Sequence, residues 1–375
     1  MDFVACFVNG GIYRDNMPLI GSETIFSYEF AEVNMDRTKQ QITRIAIVGT
    51  GHVGATCAYA LQLLGHASEI VLINAHRERA EGEAMDISHG SLFARPVRIW
   101  AGDFSDCRDA DIVVLTAGDS QKPGETRLDL LRRNAAIYQN ILPQVVQYNR
   151  NAILIVVANP VDVLTYITLK VTQLPAHQVI GSGTILDTSR FRCLLSQHFG
   201  IDPRSIHAYI LGEHGDSQVP VWSLANIAGM RLDEYARLNN KPLDKYSRNE
   251  IAQNTRQAAY EIIRRKGATY YAIAAGVVRI IEAIVRDENS VLTVSSLIQG
   301  KYGLNDICLS LPSIVNRHGI QETMELPLSS EEQTGLERSA RVLRSAIDSF
   351  QEYISPHLVI NMPSRYSVGS TYENR

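Results

Sequence analysis

The chain is poor in the features that mark several broad classes of protein. Its five cysteines, Cys6, Cys57, Cys107, Cys193 and Cys308, are scattered, odd in number and never spaced as CxxC. That argues against a disulfide framework or a zinc site and suits a reducing cytoplasm. No apolar run approaches the length that a bilayer requires, so no membrane span is expected. There is no basic run interleaved with aromatics, and the formal net charge is -4, which speaks against nucleic acid as a partner. Internal repeats and low-complexity tracts are absent as well. What is present is an ordinary globular composition, 45% hydrophobic and 20% charged, over 375 residues, enough chain for two domains.

Residues 1–41 carry neither helical nor strand periodicity and do not make a signal peptide, because no basic segment precedes a sustained apolar one. They are expected to be a disordered extension, with Met35 as an alternative start just before the regular pattern begins. The polar tail 351–375 is expected to be disordered too. From Thr43 the pattern is strand, glycine turn and helix: an apolar strand ending at Val48, then Gly49-Thr50-Gly51-His52-Val53-Gly54, then an Ala- and Leu-rich run to Gly65, with a second strand at Glu69 to Asn74. A lone GxGxxG is weak. One that follows a strand, opens a helix and leads to a second strand points to a dinucleotide site. The glycines permit the tight turn, the approach of a pyrophosphate and helix-to-strand packing, and the helix N-terminus faces the phosphates.

Further apolar strands at Asp111 to Thr116 and Ala152 to Ala158 alternate with helical stretches, which builds a parallel sheet with helices on both faces. We therefore expect an α/β fold: a Rossmann-type doubly wound domain at 42–182, followed by a mixed α/β substrate domain at 183–350. The first should gather ligands at the carboxyl ends of its strands. One departure stands at the end of the second strand. An acid normally takes the ribose hydroxyls there, and this chain has Asn74, with His76, Arg77 and Arg79 close behind. NAD is the first choice of cofactor, and NADP stays open. The polar, turn-rich segment 119–127 after Gly118 reads either as a surface loop or as a mobile lid carrying Gln121 and Arg127.

The stretch from Asp187 to Gly215 holds the densest chemistry. If a helix begins at Asp187, Arg190 shares its face and Arg192 points roughly 200° away from Arg190. His214 sits in Gly-Glu-His-Gly, where the glycines let a ligand approach the ring. An imidazole held by a carboxylate is a general acid/base poised near neutral pH. A structural ion pair beside a helix is the plainer alternative. Beyond this stretch, helices are expected at about Arg248 to Lys266 and Ala268 to Asp287, strands between Ser290 and Arg317, and a final amphipathic helix through Leu336, Ala340, Leu343, Ile347 and Phe350.

The motifs GTGHVG, AGDSQKPGETR, VANPVDV, GTILDTSR and LGEHGDS, in that order, closely resemble the L-lactate dehydrogenase branch of the lactate/malate dehydrogenase family across about residues 42–350. The resemblance implies a cytoplasmic, NAD-dependent enzyme interconverting pyruvate and L-lactate at the end of fermentative glycolysis, with no metal. His214 would relay the proton, Asp187 orient it, Arg190 bind the substrate carboxylate and Arg127 polarise the carbonyl from the lid. Asn159 would help place substrate and nicotinamide, and Thr269 and Gln121 would meet the substrate's variable end. The cofactor would lie against Gly49, Gly51, Val53, Gly54, Asn74, Arg79, Gly118, Val157, Asn159 and Ser182. The resemblance extends to bacterial enzymes activated by fructose 1,6-bisphosphate, which implies a homotetramer with Arg192 and His207 taking the effector at a subunit interface. Two other readings stay open. A malate or branched 2-hydroxy acid dehydrogenase is disfavoured by the neutral Gln121. A nucleotide-binding protein that has lost catalysis is disfavoured by the intact His214, Asp187, Arg190 and Arg127.

Overall fold

A computed structural model describes residues 43–120 and 125–351; the expected N-terminal extension, Cys6, Gln121 and the expected C-terminal tail beyond Gln351 lie outside the described residues, while Gln351 itself ends a helix. The first half alternates strands and helices: β1 (Arg44–Val48), α1 (His52–Leu64), β2 (Glu69–Ile73), α2 (Arg77–His89), β3 (Arg98–Ala101), β4 (Ile112–Leu115), α3 (Arg127–Tyr148), β5 (Ile153–Val156), α4 (Val161–Thr172) and β6 (Val179–Gly181). Then come α5 (Ile185–Phe199), β7 (Ile206–Leu211), β8 (Val219–Ile227), β9 (Met230–Arg231), α6 (Leu232–Leu238), α7 (Lys245–Lys266), α8 (Tyr271–Val285), β10 (Ser290–Gln299), β11 (Asn305–Asn316), β12 (Gly319–Thr323) and α9 (Ser330–Gln351).

One nine-stranded sheet runs β12-β11-β10-β6-β5-β4-β1-β2-β3. Its six strands from β3 to β6 are parallel and in doubly wound order, so the chain reverses direction between β1 and β4 and leaves a crevice at their carboxyl ends. The central strands read as continuous apolar runs because both faces are covered. Successive side chains point opposite ways: Ala46 and Val48 enter one core with Val113 and Leu115, while Ile45 and Ile47 enter the other with Ile112 and Val114.

The sheet does not stop after β6. Antiparallel β10 pairs with it through Ser295 and Gly181, and β11 and β12 follow outward. Helix α8 packs on α1 and buries Val277, Val278, Ile280 and Ile281 in the same core as β1. A separate antiparallel sheet, β7-β8-β9, closes a smaller core with Phe191, Leu195 and Phe199 of α5. Three helix starts differ from expectation, α7 beginning at Lys245 behind an Asp244 cap rather than near Arg248. Helix α5 begins two residues before Asp187, and α8 begins at Tyr271 because Gly267, at φ +85°, ends α7 and leaves 268–270 as a non-helical joint.

Asn149 shows how one polar side chain holds the parallel half together. Its Nδ2 donates to the carbonyls of Cys107 and Ala110, both at 2.8 Å, and its Oδ1 accepts from the amides of Asn151 and Ala152 at 2.8 and 3.1 Å. The turn entering β5 is thereby tied to the turn entering β4. Replacing it strands buried backbone groups, so Asn149→Ala should lose about 2–4 kcal/mol of stability. Urea unfolding checks this, and a loss under about 1 kcal/mol contradicts it.

Candidate active site

Two glycine-bearing turns meet at the crevice. A Cβ on Gly49, at φ +106°, would lie 2.4 Å from the Ala117 amide nitrogen, and one on Gly54 would lie 1.9 Å from the Gly49 carbonyl. Thr116 Oγ1 donates to the Gly49 carbonyl at 2.6 Å and locks the pair. Gly51 is different: a Cβ there meets nothing within 4 Å, so its bare face opens outward. Gly51 is the N-cap of α1 and offers no side-chain cap, and no acid stands in the first turn. Uncapped amides beside an open glycine fit a pyrophosphate, so the residues suit a dinucleotide. Val53 is half-buried behind the turn, while Val157 and Ser182 are buried at the ends of β5 and β6. A Cβ on Gly118 would press on Ala158 and Asn134. Asn74 follows β2 and donates to Thr50 Oγ1 at 2.7 Å, while Arg79 is exposed on α2.

The acid, the arginine and the histidine do come together. Asp187, in the first turn of α5, is 4% exposed at its side chain and splits its oxygens. Oδ2 lies 2.5 Å from His214 Nδ1 and Oδ1 accepts from Arg190 at 3.1 Å. Burial alone would raise the Asp187 pKa, but His214 and Arg190 outweigh it and hold the carboxyl below its ordinary value. Burial likewise works against charge on His214, and Asp187, aided by Asp162, overcomes it and lifts the imidazole above its usual 6.5.

The segment carrying His214 is fixed from three sides. The Gly212 amide donates to the Ser310 carbonyl of β11 and the Ser310 amide donates back, both at 2.9 Å. The Glu213 amide donates to Ser339 Oγ of α9 at 2.6 Å, and the His214 amide donates to Asp162 Oδ2 of α4 at 2.7 Å. Asp162 is 2% exposed, and burial pushes its carboxyl up to about 6. In the sequence it looked like one residue of a strand-to-helix turn. Only the packing of α4 against the histidine segment reveals it as a second acid beside His214, bonded to its backbone amide and favouring the charged form of the ring.

Asn134 and Arg133 of α3 carry no local sequence signal of a role at the site. Buried Asn134 accepts from the Asp119 amide and donates to the Asn159 carbonyl, both at 2.7 Å, joining the near end of the 119–127 segment to the end of β5. Arg133 binds Asp119 at 3.0 Å and pairs with Glu125, so α3 holds both described ends of the 119–127 segment. Arg127 is the first residue of α3, behind the Thr126 cap; its side chain lies outside the description. Asn159 is exposed at the crevice, and Thr269 is half-buried in the joint before α8. Arg192 does point away from Arg190: its Nε donates to the Ala208 carbonyl at 2.9 Å, next in the chain to exposed His207. Among the described residues no cluster of three or more His, Cys, Asp or Glu could hold a metal ion, and no helix is long and apolar enough to cross a membrane.

Residues 43–181 match the model of the lactate/malate dehydrogenase NAD-binding domain, and 184–354 match that of the family's alpha/beta C-terminal domain. The chain belongs to the lactate/malate dehydrogenase family. Within the family it is 54% identical to an L-lactate dehydrogenase of Acetivibrio thermocellus over 306 residues, covering 82% of this chain and 96% of that one. It is 53% identical to L-lactate dehydrogenase 1 of Clostridium acetobutylicum, covering 82% and 98%. Among solved structures it resembles the ligand-bound minor L-lactate dehydrogenase of Enterococcus mundtii, with TM-score 0.80, 43% identity, and coverage of 82% and 98%.

Because Asp162 lies close enough to His214 to favour its charged form, Asp162→Asn should lower the imidazole pKa. Histidine 13C NMR of the folded variant checks this; an unchanged His214 titration contradicts it.

Proposed function

We propose that the protein is an NAD-dependent L-lactate dehydrogenase that interconverts pyruvate and L-lactate. The observation that carries this reading is the single buried carboxylate of Asp187, shared between the ring of His214 and the guanidinium of Arg190. The relatives named above and the family's NAD-binding model support the same activity and cofactor.

NADH, when bound at the crevice, would supply the hydride that the carbonyl carbon takes up. As negative charge grows on the carbonyl oxygen, protonated His214 gives it the proton on Nε2, since Nδ1 is occupied by Asp187. Arg190 keeps nitrogens free of Asp187 to take the substrate carboxylate bidentately, which sets the carbonyl's orientation. Arg127, carried by the segment that Arg133 anchors, meets the developing charge from the lid side once water is excluded. Asn159 places the substrate, and Thr269 and Gln121 border its methyl end. A second carboxylate, as in oxaloacetate, would find no cation at Gln121 and would be costly to bury.

The same reading assigns 42–182 to the cofactor and 183–350 to the substrate, a division supported by where the two family models meet. It assigns Arg192 and His207 to fructose 1,6-bisphosphate at an interface of a homotetramer, supported by the anchoring of Arg192 beside His207. A cytoplasmic location suits the buried, unpaired thiols of Cys57, Cys107 and Cys308.

Steady-state assays with NADH should show pyruvate far preferred over oxaloacetate, and fructose 1,6-bisphosphate should lower the pyruvate concentration needed for half-saturation. Gln121→Arg should shift the preference toward oxaloacetate; an unchanged ratio contradicts the role given to Gln121, and superimposable curves with and without effector contradict that of Arg192 and His207. Arg127→Gln should lose about 10²- to 10³-fold in rate. A loss under about tenfold contradicts its placement.

A further inference from the structure

The adenosine end of the cofactor site lacks the group that ordinarily rejects a phosphate. In a doubly wound sheet, the residue closing β2 faces the adenosine ribose. An acid there binds the ribose hydroxyls and repels a 2′-phosphate. This chain has Asn74, which is neutral, and its amide is already engaged within the protein. Nδ2 donates to Thr50 Oγ1 at 2.7 Å, and Oδ1 accepts from the His76 amide at 2.9 Å. Thr50 is fully buried in the phosphate-facing turn, so Asn74 is fastened to that turn and presents no negative charge to the ribose.

The surroundings do not replace the missing charge. Ala75 adds no polar group, and His76, Arg77 and Arg79 are all exposed along the same short segment. Its acid, Glu78, is exposed in the first turn of α2, and Glu81 is paired with Arg77 Nε at 2.8 Å. The acid beyond the end of the adjoining strand β3, Asp103, is committed to capping the next turn. Its Oδ1 accepts from the Ser105 amide and hydroxyl, and Arg77 lies close enough to help stabilise its charge. Of these acids, Asp103 caps a turn and Glu81 is paired with Arg77, while Glu78 stands exposed on α2 among the basic side chains of the same segment.

We infer that the protein accepts NADPH as well as NADH, with Asn74 as the residue that sets this tolerance and the basic segment 76–79 facing the 2′-phosphate. The inference rests on the dehydrogenase reading and deepens it at the cofactor end. Asp at position 74 could accept from both the Thr50 hydroxyl and the His76 amide, so Asn74→Asp tests charge with little change of shape.

Two measurements on the full-length protein decide the matter. In the first, binding of 2′,5′-ADP and of 5′-AMP is measured by calorimetry without turnover. The wild type should bind 2′,5′-ADP at least as tightly as 5′-AMP, and Asn74→Asp should weaken 2′,5′-ADP relative to 5′-AMP by about tenfold or more, since like charges are then brought together. In the second, kcat/KM with pyruvate should differ between NADH and NADPH by less than about 30-fold in the wild type, and the preference for NADH should rise at least about tenfold in the variant. A wild type that favours 5′-AMP by about 10²-fold, or a variant with unaltered nucleotide discrimination, overturns the inference. If pyruvate is reduced with neither cofactor, the dehydrogenase reading fails, while the calorimetric comparison still decides the tolerance for a 2′-phosphate.

Discussion

A buried carboxylate with two cationic neighbours is the constraint on which the site turns. Asp187 gives one oxygen to His214 and the other to Arg190, so a single negative charge positions together the imidazole and the guanidinium that we propose as proton carrier and carboxylate binder. Removing either neighbour would leave that charge less well compensated in a place almost closed to water. The arrangement also explains the opposed directions in which the two groups shift: the carboxyl stays ionised below its ordinary range, and the imidazole holds its proton above 6.5.

The fold supplies this geometry through elements that are far apart in the chain. Helix α5 brings Asp187 and Arg190 in immediately after β6, the last parallel strand. The His214 segment returns after β7 and is pinned by β11, α9 and α4. Because β10 to β12 extend the same sheet that carries the glycine turns, the substrate-side residues and the dinucleotide crevice are referred to one rigid framework. Positional precision of this kind is what proton transfer and carbonyl orientation require. The 119–127 segment is held at both of its described ends by Arg133.

Much of this was legible in the sequence because the signals are local. The turn after β1 announces itself by glycines at fixed spacing behind an apolar strand, and the Asp187–Arg190 pair by a helical interval of three residues. The opposed direction of Arg192 follows from the same helical geometry. What stayed hidden depends on contacts across long intervals of chain. Asp162 lies 52 residues from His214, and its meaning appears only when α4 packs beneath the 212–217 segment. Asn134 likewise reads as a helix residue until the ends of β4 and β5 converge on it. The continuation of the sheet into β10 had no local marker either, because strand order is set by packing and not by composition.

The central claim is that Asp187 keeps His214 protonated where the proton is needed. It is tested most directly by the pH dependence of kcat/KM for pyruvate in the wild type and in Asp187→Asn. As pH rises through the imidazole pKa the donor is lost and the rate falls; without the carboxylate this fall should begin at distinctly lower pH. An alkaline limb at the same pH in both proteins, whatever the change in absolute rate, would contradict the account.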